Sequence, residues 1–398
     1  MSSPDLLQYE APFPPSFTIL PTSSYLHSGF HGEAASLQTL SQQHNCLIRS
    51  ESVYPEDSYV RPHQNVRASA EFESALSNIY GAINSQFNTV PPVILSILSN
   101  ALLIDNVLLA IRDDVPAIVY ETYRSNDRAQ TPFSYTTTLR IPDRVFNENP
   151  ATYCYVGSVG YFNYGHWLID DLPRAVIARE KIVGPIRWVI PSSTPAVDEA
   201  KRASLAALTG ANPEIVFIGA GELIRFERLV YVSPVSYHPY QKSPASLRAL
   251  QRKFDTGSPI GQGQKIFVSR SQTDSRGLLN MPEVRTILAE SGYQQIDPGS
   301  MSFEAQRATF SNALAVVGVM GAAMTNTLFC PPGTPVVYLA PEGWLEPFYW
   351  DLAAVIGHKY ACIYGARPQR AGNADTEPPH LGQFRVDIAE LLQLLPQF

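Results

Sequence analysis

The stretch YFNYGHWLIDDLPR, residues 161–174, sets a histidine, two adjacent carboxylates and an arginine among large apolar side chains. Wound as a helix, it places His166, Asp170 and Arg174 along one stripe and Leu168, Leu172, Ala175 and Val176 along another, so one face carries chemistry and the other faces a core. A carboxylate one turn from an imidazole can accept or hand on a proton. The same spacing also suits a capping Asp and a core His, and the residue types alone leave both readings open. Pro173 has no N–H and its ring clashes with the carbonyl four residues back, so a kink or a fresh helix start is expected near Asp171. The pair that survives such a break is His166 and Asp170.

Two further places suit an anion. The run KIFVSR ends in Ser269 and Arg270, and SQTDS then leads to Arg276; a guanidinium makes two-pronged contacts with phosphate oxygens. The run LAVVGVM is followed by Gly321, Ala322 and Ala323, small residues opening a helix whose free N–H groups and positive dipole end favour negative charge. Solvated arginines and a tightly packed turn are the plain alternatives. Gly261 and Gly263 precede a strand, which is the wrong side for a dinucleotide fingerprint. There is no GxSxG, HExxH or DxD pattern, and no metal site is indicated.

These residues need a scaffold, and the chain after Pro239 spells one. A helix, SPASLRALQRKF, and a glycine-rich connector, DTGSPIGQGQ, lead into an alternation of strands (KIFVSR, YQQID, LAVVGVM, TPVVYLA, HKYACIYG) with helices (PEVRTILAESG, SFEAQRATFSNA, AAMTNTLF, EPFYWDLAAVIG). That alternation predicts a doubly wound parallel sheet, whose ligands sit beyond the carboxyl ends of the strands. Upstream, IRWVIPSS and RLVYVSP read as strands flanking a helix near Val197–Leu208. ALLIDNVLLAI and PAIVYETY read as short strands, with Asp113 and Asp114 in a turn. The expected organisation is an irregular arm over 1–65, a first α/β domain over 66–240, a linker over 241–264, a second domain over 265–378 and a packing helix over 379–398.

Composition narrows the function classes. A chain of 398 residues exceeds one ordinary core, and 45% hydrophobic with 16% charged residues is a globular balance. A net charge of −7 argues against nucleic acid as partner. Four scattered cysteines, Cys46, Cys154, Cys330 and Cys362, suggest neither a zinc ribbon nor a disulfide framework and fit a reducing compartment. The start lacks a secretory pattern, and the apolar run Val90–Ile111 is broken by Asn100, Asp105 and Asn106, so a cytoplasmic protein is expected.

The blocks NYGHWLIDDLPR, KIFVSRSQTDSRGLLN and FEAQRATFSNALAVVGVMGAAMTNTLFCPPGTPVV together resemble, in order and separation, the signature blocks of glycosyltransferase family 61. The resemblance spans about Tyr153 to Tyr360. It implies two Rossmann-like domains facing across a cleft in a GT-B arrangement, and metal-independent, inverting transfer from a nucleotide sugar, UDP-linked, to a glycan. It also implies a link to capsular or other surface polysaccharide synthesis, with peripheral association at the inner face of a membrane. It makes Asp170 the candidate base with His166 beside it, and Asn163, Tyr164, Trp167 and Arg174 the acceptor side. Arg270, Arg276, Gly321, Ala322, Thr325 and Asn326 form the donor side, and no cofactor is implied. Two positions depart from the family pattern: Met320 stands where a histidine is usual, and Tyr338 where a carboxylate commonly ends the next strand. A silent sugar-nucleotide- or glycan-binding subunit, and a sugar-nucleotide epimerase, are the alternatives.

Overall fold

The computed structural model describes residues 8–10, 16–19, 47–62, 65–112, 115–123, 143–147, 151–255, 263–269, 277–368 and 378–395. The protein is mixed α/β, and its chain packs as two units. The first comprises Met1–Ser58 and Thr89–His238, the second Tyr59–Asn88 and Pro239–Phe398. Both depart from the contiguous division the sequence suggested. The boundary falls at His238, ahead of the helix Pro244–Phe254, and the segment Tyr59–Asn88 belongs with the C-terminal half.

In the first unit a parallel layer runs Ile224–Val232, Thr152–Tyr155, Ile186–Pro191, Glu214–Ile218. The helices Leu172–Lys181 and Pro195–Thr209 supply crossovers. Pro195 at the first turn, a Thr194 side chain accepting from the Val197 N–H, and Gly210 in the left-handed region at φ 71° define the second helix's ends. The other half of the sheet is antiparallel apart from Ser16–Ile19, which lies parallel to Val115–Ile118. Residues 93–104 form one twelve-residue strand, Val93–Ile104, that pairs with Leu47–Tyr54, Val107–Arg112 and Ile224–Val232. Asp105 and Asn106, both at positive φ (46° and 64°), make the two-residue turn that folds this strand back, the backbone shape hairpin turns prefer. This unit is therefore a parallel half-sheet extended by a meander. Within PAIVYETY the strand stops at Ile118, and Tyr120–Tyr123 is helical. The Asp113–Asp114 turn lies outside the described residues.

The second unit matches the alternation closely. Six parallel strands run in the order Tyr293–Ile296, Gln264–Val268, Ala313–Val319, Pro335–Pro341, Lys359–Gly365, Asn65–Arg67. The chain moves outward from Gln264–Val268 to one side and then crosses to the other, so the topological switch lies between Gln264–Val268 and Ala313–Val319. The sixth strand, Asn65–Arg67, comes from residues expected at the arm's end, and the helix Ala70–Gln86 follows it. The C-terminal helix Ile388–Leu394 packs through Leu391 and Leu394 into the core formed by Phe267, Val317, Leu339 and Ile363. Among the described residues no helix is long and apolar enough to cross a membrane. Cys154, Cys330 and Cys362 are buried free thiols, and Cys46 lies outside the described residues.

Candidate functional site

The helix that carries His166 is broken where Pro173 predicts. Tyr164–His166 is α-helical, Trp167–Asp171 is a π turn, and Leu172–Lys181 resumes as α-helix with Pro173 in its first turn. The wider turn lets the Leu172 N–H reach the Trp167 carbonyl and makes room for a proline ring that an α-helix interior would reject. Asn163 starts the segment, its side-chain oxygen accepting from the Gly165 N–H at 2.7 Å.

Inside this segment His166 Nδ1 and Asp170 Oδ2 stand 2.6 Å apart, so the four-residue spacing brought the pair together. Asp170 is largely buried, its side chain 11% exposed against 25% for His166. Burial alone raises its carboxyl, but the charge and hydrogen bond of His166, with His238 and the Ser236 hydroxyl, outweigh burial and hold it at about 2. The His238 ring meets that of His166 edge-on, centroids 4.8 Å apart. Gly160 closes the other side: a Cβ there would lie 2.4 Å from His166 Cγ and 2.7 Å from Nδ1, so the imidazole rests directly on glycine backbone. Beside Asp170 is a cavity of about 10 Å³, room for a single water, whose lining includes Glu121, Ser158, Arg174 and Ser236.

Arg174 and Trp167 are placed differently from their expected acceptor roles. Arg174 is buried and donates to the Val232 and Gly157 carbonyls, both at 2.8 Å, and to Asp171 at 3.3 Å, with its guanidinium over the Tyr231 ring. It ties the helix to the sheet. Trp167 is buried, its indole N–H donating to Ser204 Oγ at 2.9 Å. Asn163 and Tyr164 are half-buried, and Phe162 is exposed beside Tyr161. His238, Ser236 and Gly160 escaped the sequence reading, because nothing in SYHPY or in a lone glycine announces a neighbour tens of residues away or six residues on.

Asp171 is fully buried between Arg174 and Ser158. Burial dominates and pushes its carboxyl up to about 6, against the opposing pull of Arg174. A carboxyl raised on folding favours the protonated folded state. The associated stability is full below its ordinary value of 3.8 and is lost as the pH rises through about 6. Urea unfolding should therefore show wild type losing stability relative to Asp171→Asn over that window, and parallel curves would refute this account.

In the second unit the two strands at the topological switch lead into Ser269 and into Met320–Gly321, all three buried. Arg270 and Arg276 lie outside the described residues. The helix opening at Ala322 is a 3-10 helix, Ala322–Phe329. It packs tightly on the sheet, since a Cβ on Gly318 would lie 2.4 Å from Met324 Sδ. Gly321 is buried and Ala322 half-buried. Thr325 and Asn326 face inward: Thr325 Oγ1 donates to the Ala322 carbonyl at 2.6 Å, and Asn326 Nδ2 donates to Gln306 Oε1 at 2.7 Å and the Ala323 carbonyl at 3.0 Å. Their side chains hold the turn together and are not presented at the strand ends. Met320 and Tyr338 are fully buried. Tyr338 sits mid-strand among Tyr349 and Tyr360, and the residue beyond the strand's end at Pro341 is Glu342. Glu342 accepts from the Ser69 hydroxyl and borders a pocket of about 490 Å³ with Glu71, Phe72, Gly343 and Arg367. Among the described residues no group of three or more His, Cys, Asp or Glu is placed to hold a metal ion.

Fold and site define a mixed α/β protein with a doubly wound second unit and an imidazole–carboxylate pair in the first. Residues 164–337 match the Glycosyltransferase 61 family model, from just before His166 into the strand Pro335–Pro341, and this supports glycosyltransferase family 61. The matched region is less than half of the chain. No curated protein matches the sequence.

Proposed function

We propose that the protein transfers a sugar from a nucleotide-sugar donor to a hydroxyl of a glycan acceptor, with inversion and without a metal ion. The observation that carries this reading is that one family match includes both the His166–Asp170 pair and the two strands at the topological switch. The pair serves the acceptor: its proton must leave as the oxygen attacks the anomeric carbon. The strand ends at that switch serve the donor, where doubly wound sheets bind nucleotides. Arg270 and Arg276 follow the strand Gln264–Val268 in sequence and supply fixed positive charge for the leaving diphosphate. Glu342, just beyond the strand's end, offers to ribose or sugar hydroxyls the carboxylate that the family pattern has where this chain carries Tyr338. A GT-B arrangement, a UDP-linked donor and a place in surface polysaccharide synthesis at the inner face of a membrane complete the reading, supported by the family resemblance. The silent-subunit alternative drew on Met320 and Tyr338, both of which are core residues.

The test is a donor screen that follows nucleotide release with and without glycan acceptors, repeated in chelator. Acceptor-dependent release that survives the chelator is expected. Release without an acceptor but with isomerised nucleotide sugar would make the protein an epimerase, and activity lost in chelator and restored by manganese would overturn metal independence. Arg270→Ala and Arg276→Ala should each weaken the preferred nucleotide sugar roughly tenfold to a hundredfold in isothermal titration, the worth of a charge-assisted contact. Unchanged affinity in both, with the fold intact, would put the phosphate site elsewhere.

A further inference from the structure

We infer that His166 is the group that takes the acceptor's proton, through Nε2, and that Asp170 and Gly160 are positioning residues that present its imidazole. This rests on the transferase reading above and reverses the roles that the resemblance implies for the pair. Three observations of geometry carry it. Asp170 Oδ2 is occupied by His166 Nδ1 at 2.6 Å, and Oδ1 is buried. The cavity at Asp170 has room for about one water and none for a sugar ring. The Asp170 side chain is 11% exposed against 25% for His166, so the imidazole presents the more open face to a glycan hydroxyl. Gly160 backbone under the ring and His238 against its edge hold the imidazole in place.

The tautomer follows. A carboxylate only accepts, so the hydrogen lies on Nδ1 and Nε2 keeps its lone pair. A carboxyl held at about 2 is a weak proton acceptor at neutral pH, which suits an orienting role and not a basic one. In the step itself the acceptor O–H bond breaks and its proton goes to Nε2. The acceptor oxygen bonds to the anomeric carbon, and the bond from that carbon to the donor phosphate breaks with its electron pair leaving on the diphosphate. The resulting imidazolium is balanced by Asp170. Ionisable or charged groups around the pair are His238 at the ring edge, Asp171 at the end of the π turn, Arg174 on the following helix, Lys201 on the helix Pro195–Thr209, and Glu121 at the cavity.

The experiment uses the full chain with UDP-glucose, UDP-xylose and UDP-N-acetylglucosamine and a mixed oligosaccharide acceptor, reading UDP release against pH. Circular dichroism serves as the folding control. Wild type should lose activity toward acid through one ionisation. Asp170→Asn should move that limb to lower pH, because the anion that favours the imidazolium is gone, and lower the plateau. His166→Gly should be inactive and recover at least tenfold with added imidazole. Gly160→Ala keeps both groups but displaces the ring, and should lower turnover with little change in donor affinity. Nitrogen NMR should find hydrogen on Nδ1 in wild type and lose that signature in Gly160→Ala, a readout that needs no donor. Retention of transfer in His166→Gln, rescue of Asp170→Gly by formate without any rescue of His166→Gly by imidazole, or full turnover in Gly160→Ala would overturn the assignment while leaving a transferase. A wild type that releases UDP from none of these sugars would bring down the transferase reading and this role with it.

Discussion

Asp170→Asn is expected to slow transfer about a hundredfold to ten-thousandfold, the range over which acid–base machinery acts. Donor affinity and the unfolding midpoint should change little. The substitution keeps volume but exchanges an acceptor-only carboxylate for an amide, whose NH₂ group can face Nδ1 and favour the other tautomer. Turnover at saturating donor, with isothermal titration of the nucleotide sugar, separates the effects. Turnover within a few-fold of wild type would remove Asp170 from the chemistry. Asp171→Asn is the informative neighbour. Its side chain serves Arg174 and Ser158, so its effect should fall on stability and its pH dependence more than on turnover.

What the sequence could reveal depended on how far apart the interacting residues lie. His166 and Asp170 are one turn apart, and a turn's spacing is a local property, so their contact was legible even across the π turn. The break itself was legible because Pro173 lacks an N–H. The strands from Gln264 to Gly365 were legible because buried parallel strands are short apolar runs separated by helix-length amphipathic ones. Trp167 and Arg174 were misplaced for a different reason. An arginine or tryptophan serves either a ligand or the interior, and only the elements packed behind it, here the Val232 carbonyl of the sheet and Ser204 of the helix Pro195–Thr209, decide which. Asn65–Arg67 is a three-residue strand without periodicity, and its partner Lys359–Gly365 is nearly three hundred residues on, so no window could have found it. The family resemblance sets Tyr338 against a carboxylate that commonly ends this strand, although the apolar run TPVVYLA goes on past it. The ladder continues to Pro341 paired with Gly365, and the carboxylate appears one residue later as Glu342.

That late-joining segment leads to the largest stability effect expected in the molecule, the loss of Asp351. Asp351 lies on the helix Phe348–Ile356, is fully buried and is the only carboxylate in its described hydrogen-bonded cluster. Arg61 Nε donates to Oδ1 at 2.6 Å, the Tyr59 hydroxyl donates to the same oxygen at 2.5 Å, and Lys242 Nζ donates to Oδ2 at 2.8 Å. Burial, with Asp351 adding to it, pushes the Tyr59 phenol well above its ordinary value, so that group stays neutral and the cluster holds two cations against one anion. The surplus charge is softened by aromatic faces, with Lys242 Nζ 4.0 Å from the Phe348 ring centroid and the Arg61 guanidinium over Tyr59 and Trp350. Arg61 also donates to the Tyr240 carbonyl, so one carboxylate fastens Tyr59–Asn88 to the C-terminal half of the second unit. Asp351→Ala would leave two buried cations facing each other, and breaking a buried pair in this way costs about 3–5 kcal/mol. Lys242→Met leaves a balanced Arg61–Asp351 pair and a side chain that can lie on Phe348, so it should cost clearly less. Urea unfolding of the full chain, followed by tryptophan fluorescence, reads both. A cost for Asp351→Ala below about 1 kcal/mol would mean that water reaches the cluster, and a larger cost for Lys242→Met than for Asp351→Ala would mean that the lysine, not the carboxylate, holds the segment.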